Sequence, residues 1–482
     1  MSDSYSRGSV TKEVPTLNYD ILLYILRCLD NRADVSRMMR VHPILYRAGW
    51  SVLLGFPIEL HRYNYYNILK ILSLSGGIDR CAHIRTLAVN SHSLNDNDIW
   101  LITGILENST KVRRLGIEDD DSDTLLSSDD FVEAVVNLST LRDLRIKSKY
   151  DLLCNVLQRI KAPLVVLNIS VSSSYKYELV QLIKNFCATL EVLRTCDVQI
   201  RDLDFQCPRV HLLSLRNLRN VGFISTRKLT KAFPNLRKLS FHDALGSPKE
   251  QEAEEYHSLN QEQPAHSPWT KLDYISASAT NIWTLALQCP ISSLRIVPSE
   301  TGWHRMLQRI NHDYSPAVME IHLASYNMHM LTHLGKLFET NVPWTQLRVT
   351  INISNIRPES DSEMFWDKLR MEWTKLHVPY LELAFLSWKV PPGKVYKAWL
   401  SHGGPETDQM ARDLYTSIPA LHQVYIHFGT QETEKLWKFS RSDNGEQGPV
   451  LIDLPLSERP TTWIDSESLR TLPWASQGGM LQ

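Results

Sequence analysis

Apolar residues return along this chain in one short phrase: apolar, two variable positions, apolar, one variable position, apolar. The instances begin with Ile84/Leu87/Val89, Val112/Leu115/Ile117, Leu141/Leu144/Ile146, Leu164/Leu167/Ile169, Leu190/Leu193/Thr195 and Val210/Leu213/Leu215. They continue with Leu236/Leu239/Phe241, Leu272/Ile275/Ala277, Ile291/Leu294/Ile296, Val318/Ile321/Leu323, Trp344/Leu347/Val349, Tyr380/Leu383/Phe385 and Leu421/Val424/Ile426. Phrase starts lie 19 to 41 residues apart, and the last positions alternate as a half-buried strand requires. Between phrases the spacing becomes helical, as in Ile99, Ile102, Ile105 and Leu106, or Leu152, Leu153, Val156, Leu157 and Ile160. Strand then helix, repeated, predicts an α/β stack of units, none of which can bury its apolar face without a neighbour.

Ahead of the repeats the pattern is purely helical. Ile21, Leu22, Ile25, Leu26 and Leu29 form one apolar face after Asn18, a residue suited to capping the first free amides, and Asp20 sits where the helix dipole favours a negative charge. Val35, Met38 and Met39 mark a second helix. A third opens at Pro43 and carries Ile44, Leu45, Ala48 and Val52.

Residues Leu17 to Leu54 resemble the F-box, the three-helix module that docks substrate receptors onto the adaptor of cullin-RING ubiquitin ligases. The resemblance implies adaptor contacts at Leu17, Asp20, Ile21, Leu22, Ile25, Leu26, Val41 and Leu45, with Leu29 and Val35 among its core. Two positions depart from the family: Asn18 stands where a proline is usual, and His42-Pro43 replaces a cysteine or serine followed by a basic residue. The repeats resemble the irregular leucine-rich repeats of fungal-type F-box proteins, without the asparagine or cysteine that usually follows the third apolar position. The implied architecture is a three-helix F-box over residues 14–60 after a disordered leader, 1–13. An irregular leucine-rich-repeat solenoid over 61–428 follows, with parallel strands on a concave wall and helices outside, and then an irregular extension over 429–482. The implied partners are the ligase adaptor, the cullin through it, and a target protein. The alternative is an interaction scaffold acting outside the ligase.

Composition narrows the class. With 52 basic and 53 acidic residues, the balance gives no sign of nucleic-acid or anionic-membrane binding. No apolar run reaches the ~18 residues of a spanning helix and no secretory signal is evident, which together suggest a cytosolic or nuclear protein. Seven cysteines at irregular spacing read as reduced thiols in cores. The glycosylation-type triplets headed by Asn108, Asn137, Asn168 and Asn352 are then expected to be unused. Residues 243–268 are polar and acidic and read as a disordered loop. Beyond Gly429 patterning fades, although Val450-Leu-Ile-Asp-Leu could form an edge strand.

Candidate chemistry is sparse. No phosphate loop, nucleophile elbow or zinc helix is present, so no catalytic activity and no cofactor are expected. His329 and His333 share a helix face without a third ligand nearby, and Asp119, Asp121, Asp123 and Asp130 match calcium-loop spacing until Thr124 takes the place of the turn glycine. No metal site is expected from either. Arg114, Arg145, Arg194, Arg295 and Arg348 fall at outward strand positions and could hold an acidic or phosphorylated segment, although Asp143, Glu320 and Glu382 interrupt the stripe. Eleven of the 13 tryptophans lie beyond residue 268, which fits either an aromatic recognition wall or large side chains filling gaps between irregular repeats. Trp388, followed by Pro391-Pro392-Gly393, is the tryptophan best placed to contact a substrate.

Overall fold

A computed structural model describes residues 18–60, 65–73, 77–92, 94–119, 124–171, 178–200, 203–216, 224–242, 250–262, 269–297, 303–323, 328–338, 344–352, 361–386, 392–401, 404–428, 435–438 and 452–453. The chain divides into two compact units. The first comprises 1–148 with 159–163, the second 149–158 with 164–482.

The first unit opens with α1 (Tyr19–Cys28), α2 (Arg32–Met39) and α3 (Pro43–Leu53), each started by a side chain that accepts from a free amide: Asn18, Asn31 and His42. It continues through β1 (Ile58–Leu60), α4 (Tyr65–Ser73), α5 (Gly77–Cys81), β2 (Thr86–Asn90), α6 (Asp96–Glu107), β3 (Arg114–Glu118), α7 (Asp129–Val136) and β4 (Asp143–Ser148). Strands β1 to β4 pair in parallel, in chain order. Asn95 and Asp98 close a reciprocal capping box at the start of α6, so the chain turns from strand into helix at a chemically marked point.

In the second unit α8 (Tyr150–Arg159, its last residue in the first unit) is followed by β5 (Val166–Val171), α9 (Leu179–Ile183) with a 3-10 turn (Lys184–Phe186), β6 (Val192–Cys196), β7 (Leu212–Arg216), α10 (Thr226–Ala232), β8 (Lys238–His242) and α11 (Glu250–Glu262). Then come β9 (Leu272–Ala277), α12 (Ala279–Thr284), β10 (Ile291–Ile296), α13 (Trp303–Tyr314), β11 (Val318–Leu323), α14 (Met328–Phe338), β12 (Gln346–Asn352), α15 (Asp361–Trp373) and β13 (Tyr380–Leu386). The unit ends with α16 (Pro392–Ser401), α17 (Thr407–Ser417), β14 (Gln423–His427), β15 (Lys435–Lys438) and β16 (Ile452–Asp453). Strands β5 to β14 pair in parallel in chain order; β15 and β16 then add antiparallel at the end.

Every phrase read from the sequence coincides with one strand, β2 to β14. The physical cause is the buried row each strand contributes: Leu167, Leu193, Leu213, Leu239, Ile275, Leu294, Met319, Leu347, Leu381 and Val424 are successive register partners, all fully buried. This row shows that the phrases starting at Val318 and Tyr380 sit two residues late relative to their neighbours. An even slip leaves the same side chains facing the core.

Two sequence expectations are corrected here. Residues 250–262 form helix α11 rather than loop, because glutamate, glutamine, alanine and leucine favour helix and because Ala253, His257 and Asn260 bury its inner side. Asn260 accepts from Thr226 N (2.9 Å) and donates to Ile224 O (3.0 Å) and Thr284 O (2.7 Å), so a polar residue holds the helix down. The cysteines are also not all reduced thiols: Cys187 and Cys207 are joined as a disulfide.

Candidate functional site

The three N-terminal helices share a small core and leave many apolar side chains exposed. Leu26, Val35 and Met39 form their core, joined by Leu29, Met38, Ala48, Val52 and Phe56, and Leu45 is also fully buried. Tyr19, Ile21, Tyr24, Ile25, Val41, Ile44 and Tyr46 are exposed; among the described residues these are seven of the twelve exposed large apolar side chains. Val41 is 72% exposed and Tyr24 70%. Isolated exposed apolar residues are ordinary, but these 28 consecutive positions hold more than half of the exposed large apolar side chains among the described residues.

Local polar chemistry fixes this surface. Asn18 Oδ1 accepts from Asp20 N at 3.0 Å, and His42 Nδ1 accepts from Ile44 N at 3.2 Å. With Nδ1 accepting, His42 carries its hydrogen on Nε2 and donates to the Tyr19 hydroxyl oxygen at 2.8 Å, tying the start of α1 to the start of α3. Asn18 and His42, which depart from the F-box pattern, are therefore helix caps here. Of the sequence-derived contact residues, Asp20, Ile21, Ile25 and Val41 are exposed, Leu22 is half-buried, and Leu26 and Leu45 are core. Leu17 lies outside the described residues.

In the second unit, the sheet face opposite the phrase residues carries one row of register partners: Asn168, Arg194, Ser214, Ser240, Ser276, Arg295, Glu320, Arg348, Glu382 and Tyr425. Its later half is an alternating ion ladder. Arg295 Nε stands 3.5 Å from Glu320 Oε1, Arg348 NH1 3.9 Å from the same oxygen, and Arg348 Nε 2.9 Å from Glu382 Oε1. His427 Nε2 adds a contact at 3.4 Å to Glu382, and His322 Nδ1 lies 3.5 Å from Arg295 NH2. Arg295, Glu320 and Glu382 are all under a tenth exposed. Burial works against the charge on Arg348, but Glu382 and Glu320 outweigh it and hold the guanidinium above its ordinary pKa. Burial, followed by the Glu320 charge, raises the pKa of the Tyr274 hydroxyl on β9.

The five arginines thus occupy different settings. Arg194, Arg295 and Arg348 share this row, the last two engaged by carboxylates. In the first unit Arg114 pairs with Asp143 at 3.7 Å and Arg145 with Glu118 at 3.3 Å, on separate rows. The carboxylates that looked like interruptions of a basic stripe are its partners. Sequence reading missed the ladder because the two-residue slips put Glu320 and Glu382 out of step with Arg295 and Arg348.

The tryptophans with described side chains beyond residue 268 fill the interior: Trp269, Trp283, Trp344, Trp366, Trp373 and Trp399 are all under a tenth exposed. Trp388 lies outside the described residues. Asp119 is fully buried and its Oδ2 accepts from Leu126 N at 2.9 Å, so it closes a turn; Asp121 and Asp123 are outside the described residues. His329 and His333 lie on α14, and no group of three metal-type ligands occurs among the described residues. No described helix is long and apolar enough to cross a membrane.

No protein-family model matches the chain, and no curated protein matches it. Among solved structures, the leucine-rich repeat-containing protein LegL7 from Legionella pneumophila is similar, with a TM-score of 0.34 and 12% identity over 76% of this chain and 100% of that one. The repeat fold itself rests on the strands and their register.

Proposed function

We propose that this protein is a substrate-recognition subunit of a cullin-RING ubiquitin ligase, with α1–α3 docking the adaptor and the strand–helix repeats holding a target protein. The observation that carries the reading is the concentration of exposed apolar side chains on α1–α3, around a core of Leu26, Val35, Met39 and Leu45. Tyr19, Ile21, Tyr24, Ile25 and Val41 would supply the desolvated anchors typical of a protein interface. The repeats offer a long surface in which each strand contributes outward side chains at a fixed register, suited to an extended or folded protein target. The transfer chemistry belongs to the ligase partners, and the chain contributes binding alone.

The test is the fate of captured proteins. Proteins held by the full chain in cells are identified, and their half-lives are compared with those in cells carrying an Ile21→Ala/Ile25→Ala/Val41→Ala chain. Longer half-lives with the variant support the ligase role. Unchanged half-lives with undiminished capture indicate a scaffold acting outside the ligase.

A further inference from the structure

Among the described residues, β6 and β7 are successive strands with no helix between them, whereas α9 precedes β6 and α10 follows β7. Their phrases start only twenty residues apart, and the connection is packed by Val198, Ile200 and Leu203 instead. Cys187 and Cys207 flank this thin repeat. Each stands three residues before the first apolar position of its phrase, Leu190 and Val210, so the two occupy the same place in consecutive repeats, with Cα atoms 4.2 Å apart. The next two repeats fill that place with Phe233 and Trp269, both buried. Two small cysteines stand where the next two repeats carry these aromatic side chains, and a covalent bond joins them.

We infer that Cys187 and Cys207 form a reversible thiol–disulfide site that responds to a glutathione-type thiol pool and sets the rigidity of the β6–β7 repeat. Cys187 is half-buried and Cys207 fully buried, which fixes the order of events. The Cys187 thiolate attacks glutathione disulfide, forming a mixed disulfide and releasing one glutathione thiolate. The Cys207 thiolate then attacks the Cys187 sulfur, closing the internal bond and releasing the second. The two protons lost by the cysteines end on the two glutathiones, and excess glutathione reverses both steps. In reducing compartments such bonds are commonly sensors. Closing the loop restricts local opening of residues 188–206, the segment that presents Arg194 to the polar row.

The full-length chain is equilibrated in glutathione buffers from fully reduced to fully oxidised, free thiols are trapped with N-ethylmaleimide, and unreduced digests are analysed by mass spectrometry. The expected result is a Cys187–Cys207 cross-linked peptide that appears with oxidation and disappears on reduction, while Cys81 and Cys289 stay unpaired. Trypsin cleavage after Arg194 should be several-fold slower in the oxidised protein, and this difference should vanish in Cys187→Ser. Alkylation of both cysteines in every buffer, a bond that survives the most reducing buffer, or equal cleavage rates in the two states of the wild-type chain would overturn the inference. The cross-link measurement uses the wild-type chain and does not depend on how the variant folds.

Discussion

A methyl group on Gly49 of α3 would stand 2.2 Å from Cγ of Met39 on α2, with the sulfur at 2.7 Å. Met39 belongs to the core of the three helices, so it has little room to retreat. The close approach lets α2 and α3 pack tightly at this point. Gly49→Ala is expected to cost about 1–3 kcal/mol through overpacking, measured as a lower urea midpoint for loss of N-terminal helical signal. Unchanged stability would mean that the helices pack more loosely than described.

The ion ladder makes an asymmetric forecast. Glu382 is fully buried and pairs with Arg348, so Glu382→Leu removes the nearest counter-charge of that guanidinium and should destabilise the second unit by about 3–5 kcal/mol. Arg348→Met/Glu382→Leu removes both partners and should recover a good part of that loss. Urea unfolding of both variants checks this, and a double variant worse than the single would show that the charges act independently.

Asn260 satisfies three backbone groups of its surroundings, at Thr226, Ile224 and Thr284. Asn260→Ala leaves them unpaired and should cost about 1–3 kcal/mol. Hydrogen exchange is the direct readout: amides of α11 and of the start of α10 should exchange faster, while β11 to β14 stay protected.

Alkaline pH should weaken the fold through Cys289, whose thiol is pushed by burial from 9.0 up to about 11. Between those values the unfolded chain has lost the proton and the folded chain retains it, so stability falls as pH rises from about 9 to 11 and is unaffected below. The loss is on the order of 1–3 kcal/mol at the upper end. Thermal midpoints recorded across this window should fall less in Cys289→Ala than in wild type.

The strands were legible in the sequence because each buries a row of aliphatic side chains whose alternation survives irregular spacing. Strand β1, three residues long, carries no phrase and could not be read. Helix α11 was hidden because its inner side is held by hydrogen bonds from Asn260 and by His257, whose Nδ1 lies 2.7 Å from Trp283 O and whose ring stacks on that indole at 3.8 Å. Polar composition looks the same whether its groups are solvated or internally satisfied. The Cys187–Cys207 pairing was available in principle from their shared offset to Leu190 and Val210, but only once β6 and β7 are known to be adjacent in register. For the N-terminal surface, sequence located the helices, while the sorting of Ile21, Ile25 and Val41 from Leu26 and Leu45 required the packed structure.

Direct binding to the cullin-RING adaptor tests the central claim. Purified adaptor is titrated against the full-length chain and against Ile21→Ala/Ile25→Ala/Val41→Ala, with circular dichroism confirming that both are folded. The account expects saturable binding by wild type and at least a hundredfold weaker binding by the variant, since three truncated anchors at roughly 1 kcal/mol or more each remove that much. Equal affinity of the two proteins, or no binding by wild type, would contradict it.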